Sequence, residues 1–139
     1  MQKTLLLLAA VVIAGGAFFW WQNRQSKPAA APEPSRGIVT ATITYTDEGY
    51  TPSTVTIQKG EAVRFVNKSE KETWPASAVH PTHSIYPQKS DSDCLGSSFD
   101  ACRDLSPGES WEFTFNYEGE WRYHDHLHAY HNGTVIVAN

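Results

Sequence analysis

The sequence is poor in cysteine, in positive charge and in helical periodicity, and each shortage narrows the class of protein. It has two cysteines, and neither lies within a group of histidines. Residues 38–139 contain seven Lys and Arg against fourteen Asp and Glu, a net charge of −7. Such an acidic balance argues against binding to nucleic acid and against adsorption to anionic lipid. After residue 37 a helical repeat is hard to find, which argues against a helical domain.

The two cysteines, Cys94 and Cys102, lie eight positions apart in a loop rich in Gly, Ser and Asp. Downstream of an export segment, such a pair most simply forms a disulfide. A thiolate metal site is the alternative. We predict the disulfide, because neither cysteine is near the histidines.

The N-terminus contains an uncharged and almost wholly apolar run, residues 5–21. Its length is at the short end of a membrane span, which needs about 17–25 residues. Trp20 and Trp21 suit the membrane–water interface, and a signal-peptide cleavage site would be poorly placed after them. We therefore predict that residues 1–21 form an N-terminal transmembrane helix that anchors the chain. A cleaved signal peptide is the alternative.

The rest of the chain divides into a linker and one domain. Residues 22–37 are rich in Pro and Ala, which predicts a semi-extended tether. Residues 38–139 are long enough for a single modest hydrophobic core. An N-terminal anchor would hold this domain outside the cytoplasm, facing the periplasm or the extracellular side.

Residues 38–139 contain short segments rich in Val, Ile, Thr and aromatic residues, separated by turn formers. The predicted strands are Ile38–Tyr45, Thr54–Gln58, Ala62–Asn67, Ser110–Tyr117, Gly119–His124 and Thr134–Ala138. This spacing predicts an all-β domain, either an antiparallel sandwich or a small barrel. One long connection, residues 68–108, contains both cysteines and two histidines. A loop of that length is usually functional or cross-linked.

All six histidines fall in two short clusters. His124, His126, His128 and His131 follow one another in Tyr-His-Asp-His-Leu-His-Ala-Tyr-His. On an extended strand, residues two apart share a face, so His124 and His126 project together. His128 joins the same row if the strand continues. The side chain of Asp125 projects from the opposite face of the strand.

The first cluster, His80-Pro-Thr-His83, contains a proline that favours a rigid turn. Neutral imidazole suits transition metals such as copper and zinc. We therefore predict a metal site made by His80, His83, His124, His126 and His128, with His131 and Asp125 in reserve. For Asp125 the alternative roles are a hydrogen bond to the backbone and the orientation of a ligand imidazole.

Several segments resemble a known family. The run from Tyr50 to Gly60, followed by Val63-Arg-Phe-Val-Asn67, resembles the N-terminal half of a cupredoxin. Pro107-Gly-Glu-Ser-Trp-Glu-Phe-Thr-Phe, Gly119-Glu-Trp-Arg-Tyr-His and Gly133-Thr-Val-Ile-Val resemble the same family. The resemblance covers nearly all of residues 38–139 and implies a Greek-key β-sandwich.

The chain departs from the blue-copper pattern at the metal. A blue-copper cupredoxin uses His, Cys, His and usually Met, the last three within Tyr-x-Cys-x-x-His-x-x-Met-x-Gly. In this chain the Cys position is Asp125, the second His is His128 and the Met position is His131. The usual place of the first His is Thr73. Without a thiolate, the copper–sulfur bond of a blue site cannot form.

The histidine arrangement is more similar to that of multicopper oxidases. Tyr123-His-Asp-His126 is similar to their Tyr-His-Ser-His and His-Cys-His segments, and His80-Pro-Thr-His83 to their His-Pro-x-His. Those enzymes build a three-copper cluster between cupredoxin domains, so a single domain would need another subunit. Residues 74–83 are also similar to the Trp-x-Ala-Ser-x-x-His-Pro-x-His of small bacterial cupredoxin-like proteins.

These resemblances imply copper as the metal, although four imidazoles would also accept zinc. We predict an extracytoplasmic copper-binding protein with a non-blue, type 2-like site, acting in copper capture, buffering or delivery. A copper-dependent oxidoreductase and a metal-free interaction module are the alternatives. The expected partners are the metal ion, the membrane through the anchor, and a second copy of the chain or a redox or copper-trafficking protein. Because imidazole must be neutral to bind, affinity should fall below about pH 6.

Overall fold

The computed structural model describes residues 37–139, whose regular structure consists of eight β-strands. They are β1 (Val39–Thr46), β2 (Gly49–Thr51), β3 (Thr54–Gln58), β4 (Ala62–Asn67), β5 (Pro75–Ser77), β6 (Ser110–Thr114), β7 (Gly119–Asp125) and β8 (Asn132–Ala138). The all-β prediction is confirmed, and β3 and β4 have the predicted bounds. Strands β2 and β5 were not predicted, because three residues are too few to display an alternating pattern.

The predicted anchor, residues 1–21, and almost all of the predicted linker, residues 22–37, lie outside the described residues. Between residues 37 and 139, no helix has the length and hydropathy required to cross a bilayer.

The strands form two four-stranded sheets, with the orders β2-β1-β4-β6 and β3-β8-β7-β5. Most neighbours are antiparallel, but β1 pairs parallel with β4, and β3 pairs parallel with β8. The expectation of a wholly antiparallel sandwich is therefore wrong at these two pairs. Side chains alternate with the same two-residue period in both kinds of pairing, so the sequence pattern does not distinguish them.

The core between the sheets is mainly aromatic. Phe65 of β4 and Tyr123 of β7 meet edge to face across it, with ring centroids 5.2 Å apart. Two further core aromatics, Tyr86 and Phe99, come from the long connection between β4 and β6 and are fully buried. The connection is thus part of the core.

The long connection is held at several points. Cys94 and Cys102 form the predicted disulfide. Strand β5 lies within the connection and pairs antiparallel with β7, Ala76 opposite His124. This pairing brings the start of the connection, and the first histidine cluster behind it, against the strand that carries the second cluster.

Candidate metal centre

Hydrogen bonds around β5 place the two histidine clusters side by side. Directly after β5, the Ala78 N–H donates to the carbonyl of Arg122 in β7 at 2.9 Å. The His83 N–H then donates to the Val79 carbonyl at 2.8 Å, which closes a tight turn. His126, one residue past the end of β7, donates its N–H to the carbonyl of Trp74 at 2.7 Å. The first cluster is thereby folded over the end of β7.

Four imidazoles converge at this point: His80, His83, His124 and His126. One ring nitrogen or more from each lies within 4.8 Å of the others. The His126 Nδ1 and His83 Nε2 atoms are 2.9 Å apart. Nitrogen ligands of a single zinc ion lie at about 2.0–2.1 Å from it and therefore no more than about 4 Å from one another. The group needs only a small contraction to surround one ion.

His83 is the most firmly fixed of the four. It is fully buried, and its Nδ1–H donates to Asp100 Oδ2 at 2.7 Å. The other carboxylate oxygen of Asp100 accepts the indole N–H of Trp74 at 2.6 Å and the backbone N–H of Cys102 at 2.8 Å. A carboxylate on Nδ1 fixes the tautomer and leaves the lone pair on Nε2, the atom that faces His126, which is the usual arrangement behind a metal-binding histidine.

The disulfide loop, residues 94–102, presses on the backbone of His83 as well. A side chain at Gly96 would overlap the carbonyl oxygen of Thr82 and the backbone of His83, so only glycine allows this approach. His83 itself has a φ of 48°, in the left-handed region that disfavours a non-glycine residue. Such local strain is typical of functional positions.

His124 is the clearest sign that the group is built for a ligand. It is 4% exposed, and neither of its ring nitrogens has a hydrogen-bond partner among the described residues. A buried polar group without a partner costs about 1–3 kcal/mol. Desolvation by burial and, after it, repulsion from the other three imidazoles together lower the pKa of His124 to about 4. The ring is therefore neutral with a free lone pair, as a metal requires.

His126 lies partly exposed, under the ring of Trp74. The two ring centroids are 4.5 Å apart. Partial burial lowers the pKa of His126, with a further contribution from His83 and His80. The residues present therefore fit a transition-metal ion. They are four imidazoles, of which His124 has no hydrogen-bond partner among the described residues and His83 is oriented by a carboxylate.

His128 and His131 do not belong to this group but to a separate hydrogen-bonded network. His128 Nδ1 lies 2.9 Å from the buried Asp125 Oδ2, and His131 Nδ1 lies 2.9 Å from the hydroxyl of Tyr45. Burial, and then the hydrogen bond to Asp125, raises the pKa of Tyr45. Strand β7 ends at Asp125, so the row of side chains that would have included His128 is broken.

Asp125 also holds the backbone of the site. Its Oδ1 accepts the N–H of Trp74 at 2.8 Å and the N–H of Leu127 at 3.1 Å. This agrees with the alternative role that the sequence suggested for it, a buried carboxylate bonded to the backbone. The residue that sequence reasoning missed is Asp100. Its only signal is proximity to Cys102, which says nothing about the distant His83.

The position of Asp100 leads to a testable prediction. We expect Asp100→Asn to weaken metal binding by about 10–100-fold, the usual cost of losing the partner of a ligand histidine. The amide oxygen can still accept from Trp74, but the NH₂ group then faces His83 Nδ1 and favours the tautomer with hydrogen on Nε2. Affinity is measured by competition with a chelator. Asp104→Asn, which removes the same charge at an exposed position, is the control and should leave affinity unchanged. Equal affinities for both variants would contradict the assignment.

Together these features define a class: an all-β sandwich with a partly buried histidine cluster at the end of a strand. Sequence comparison is more specific. A family model described as a cupredoxin-like domain matches residues 10–137. The chain therefore belongs to the cupredoxin-like family. Since both of its cysteines are in the disulfide, it lacks the thiolate of a blue-copper site.

Solved structures support the fold. The purple cupredoxin from Nitrosopumilus maritimus is 20% identical, with a TM-score of 0.55 over 70% of this chain and 99% of that one. Amicyanin from Paracoccus versutus is 22% identical, with a TM-score of 0.54 over 79% and 89%. A copper-containing nitrite reductase from Thermus scotoductus is 20% identical, with a TM-score of 0.55 over 83% of this chain and 26% of that one. No curated protein matches the sequence.

Proposed function

We propose that this protein binds one copper ion in a non-blue, type 2-like site and acts in copper capture, buffering or delivery. The proposed ligands are His80, His83, His124 and His126. The observation that carries the proposal is His124, a buried imidazole with two unpartnered nitrogens among three other imidazoles. Membership in the cupredoxin-like family favours copper over zinc, which the same ligands would accept.

Two features favour a carrier. His80 is exposed at the rim of the group, whereas His83 is fully buried. One exposed ligand gives a metal ion a route in and out, and the buried ligands give affinity. Copper, when bound, supplies a Lewis-acidic and redox-active centre. The contribution of the chain is to hold neutral imidazoles in place and to keep water from His83.

The proposal extends to location and partners. We propose that residues 1–21 anchor the chain in a membrane and that the domain faces the periplasm or the extracellular side. A disulfide-bonded domain fits such an oxidising compartment. A second copy of the chain or a redox or copper-trafficking protein is the proposed partner class. His128, the fifth ligand predicted from the sequence, is outside the converging group, and its replacement tests whether it binds the metal.

A copper-dependent oxidoreductase is the second candidate, and one observation favours it. A cavity of about 240 Å³ opens beside His80 and His124, large enough for a small substrate. An enzyme would retain its copper and consume oxygen, superoxide or a reductant. A carrier would exchange its copper and catalyse nothing.

The test is metal analysis with EPR and optical spectroscopy on the purified full chain after loading with Cu(II). The proposal expects one tightly held, pale copper with a nitrogen-rich type 2 spectrum. Zinc held in preference to copper would contradict the choice of metal. Absence of any tight metal would contradict the proposed function and favour a metal-free interaction module.

A further inference from the structure

The cavity beside the histidine group has one basic wall. His80 and His124 line one part of it and Arg122 lines another. The remaining lining is mostly small or apolar and includes Val79 and Ala129. The cavity therefore joins the proposed metal site to a guanidinium group.

Among the described residues, this cavity gives access to the histidine group. His83 is fully buried behind Asp100, and the ring of Trp74 lies against His126. His80 is exposed, and the buried His124 lines the cavity beside it. A small molecule that enters the cavity therefore meets Arg122 as well as His80 and His124.

Arg122 is positioned for this role and is not engaged elsewhere. It lies two residues before His124 on β7, so both side chains project from the same face of the strand. Its backbone carbonyl accepts the Ala78 N–H, which fixes this part of β7 against the turn that carries His80. The side chain of Arg122 makes no salt bridge with the described residues, whereas Arg64 and Arg103 are paired with glutamates.

In a domain of net negative charge, an arginine without a salt bridge beside a cavity indicates a place where an anion can bind. With seven basic against fourteen acidic residues, residues 38–139 repel anions overall. A guanidinium without a salt bridge at the edge of a cavity offers two parallel N–H donors, the geometry that suits a carboxylate or similar oxyanion.

We propose that Arg122 and the histidine group form a binding site for a small oxyanion with a single negative charge and two acceptor oxygens. One end of the anion is held by the Arg122 guanidinium and the other faces His124 and the proposed metal. The inference deepens the proposed function, since such an anion would be a co-ligand of the bound copper or a substrate. Binding of the anion depends on Arg122 and on the cavity, and both are present in the metal-free chain.

The first experiment uses the metal-free full chain. Formate is titrated while the side-chain Nε–H resonances of the arginines are followed by NMR. We expect a saturable shift at Arg122 and no saturable shift at Arg64, which lies on the other sheet. A neutral molecule of the same shape, formamide, should produce no comparable shift. If Arg122 responds to formate no more than Arg64 does, the anion site is wrong, whatever happens with copper.

The second experiment uses the Cu(II)-loaded full chain, with formate and nitrite titrated against its EPR and optical spectra. We expect Arg122→Gln to weaken oxyanion affinity by about tenfold, the value of a charge-assisted hydrogen bond, and Arg122→Lys to weaken it less. Arg64→Gln, with the same change of net charge, should behave as wild type. Equal affinity in wild type and Arg122→Gln would overturn the role of Arg122. Absence of bound copper in the wild type would instead overturn the proposed function and leave the first experiment decisive for the anion.

Discussion

Replacing His124 and His126 together by Ala is expected to lower the affinity for Cu(II) by about 10⁴-fold. Structural zinc sites with four ligands bind with about 10–16 kcal/mol, so each ligand contributes about 3 kcal/mol. A loss of that size is about 100-fold in affinity, and two ligands are removed. The two side chains lie on one strand end, so the fold of the rest of the site is kept. The dissociation constant is measured by competition with a chelator of known affinity.

The matched control is the double variant His128→Ala and His131→Ala. It removes two imidazoles from the same segment, but from the network with Asp125 and Tyr45. We expect it to change the affinity by less than about tenfold, because neither ring belongs to the converging group. If the control variant loses affinity as severely as the first, His128 or His131 is a ligand after all. The metal would then bind in the loop that corresponds to the blue-copper site.

The strands of the fold could be predicted because their side chains alternate over five residues or more. Strands β3 and β4 have the bounds that the pattern predicts, with inward residues such as Ile57 and Phe65 buried. Strand β5 could not be predicted, since its three residues are all buried and show no alternation. Yet β5 is the element that joins the first histidine cluster to β7.

The part of the candidate site that could be predicted is the part that depends on residue type and on spacing along the sequence. The period of two along β7 placed His124 and His126 together, and the stiff turn around Pro81 suggested that His80 and His83 act as a pair. The converging group contains these four. His128 lies beyond the row that the period describes, because the strand ends at Asp125 and the chain turns. Metal binding by His128 stays a prediction, which the double variant His128→Ala and His131→Ala tests.

Asp100 and Arg122 could not be predicted as parts of the site, for different reasons. Asp100 reaches His83 through the pairing of its loop with β5, where Ala76 and Asp100 form an isolated bridge. That contact depends on tertiary structure and leaves no local pattern. Arg122 is in a predicted strand, but an exposed strand arginine is ordinary. Its importance follows only from the cavity that the turn after β5 creates beside it.

The burial of His124 lowers the free energy of unfolding of the metal-free protein at acidic pH. Its pKa is about 4 in the folded chain, where burial is the main cause, and about 6.5 in the unfolded chain. Between these values the unfolded chain binds a proton that the folded chain does not, so stability is lost as the pH falls through this range. The loss is about 2 kcal/mol between pH 7.5 and pH 5, and it is complete near pH 4. For this ligand, competition by protons also begins nearer pH 4 than the pH 6 expected from an ordinary imidazole.

A buried apolar residue in place of His124 should therefore abolish tight copper binding and stabilise the metal-free protein. We expect His124→Leu to raise the free energy of unfolding at pH 7 by about 1 kcal/mol, because two unpartnered nitrogens are removed from the interior. It should also flatten the fall in stability between pH 7.5 and pH 5 by about 2 kcal/mol. Both are measured by urea unfolding in the presence of a chelator, with His131→Leu as the matched control. A variant less stable than wild type, or one with the wild-type pH dependence, would show that His124 is a packing residue whose burial serves the fold. The expected result would show that folding stability is sacrificed at this position for the binding of a ligand.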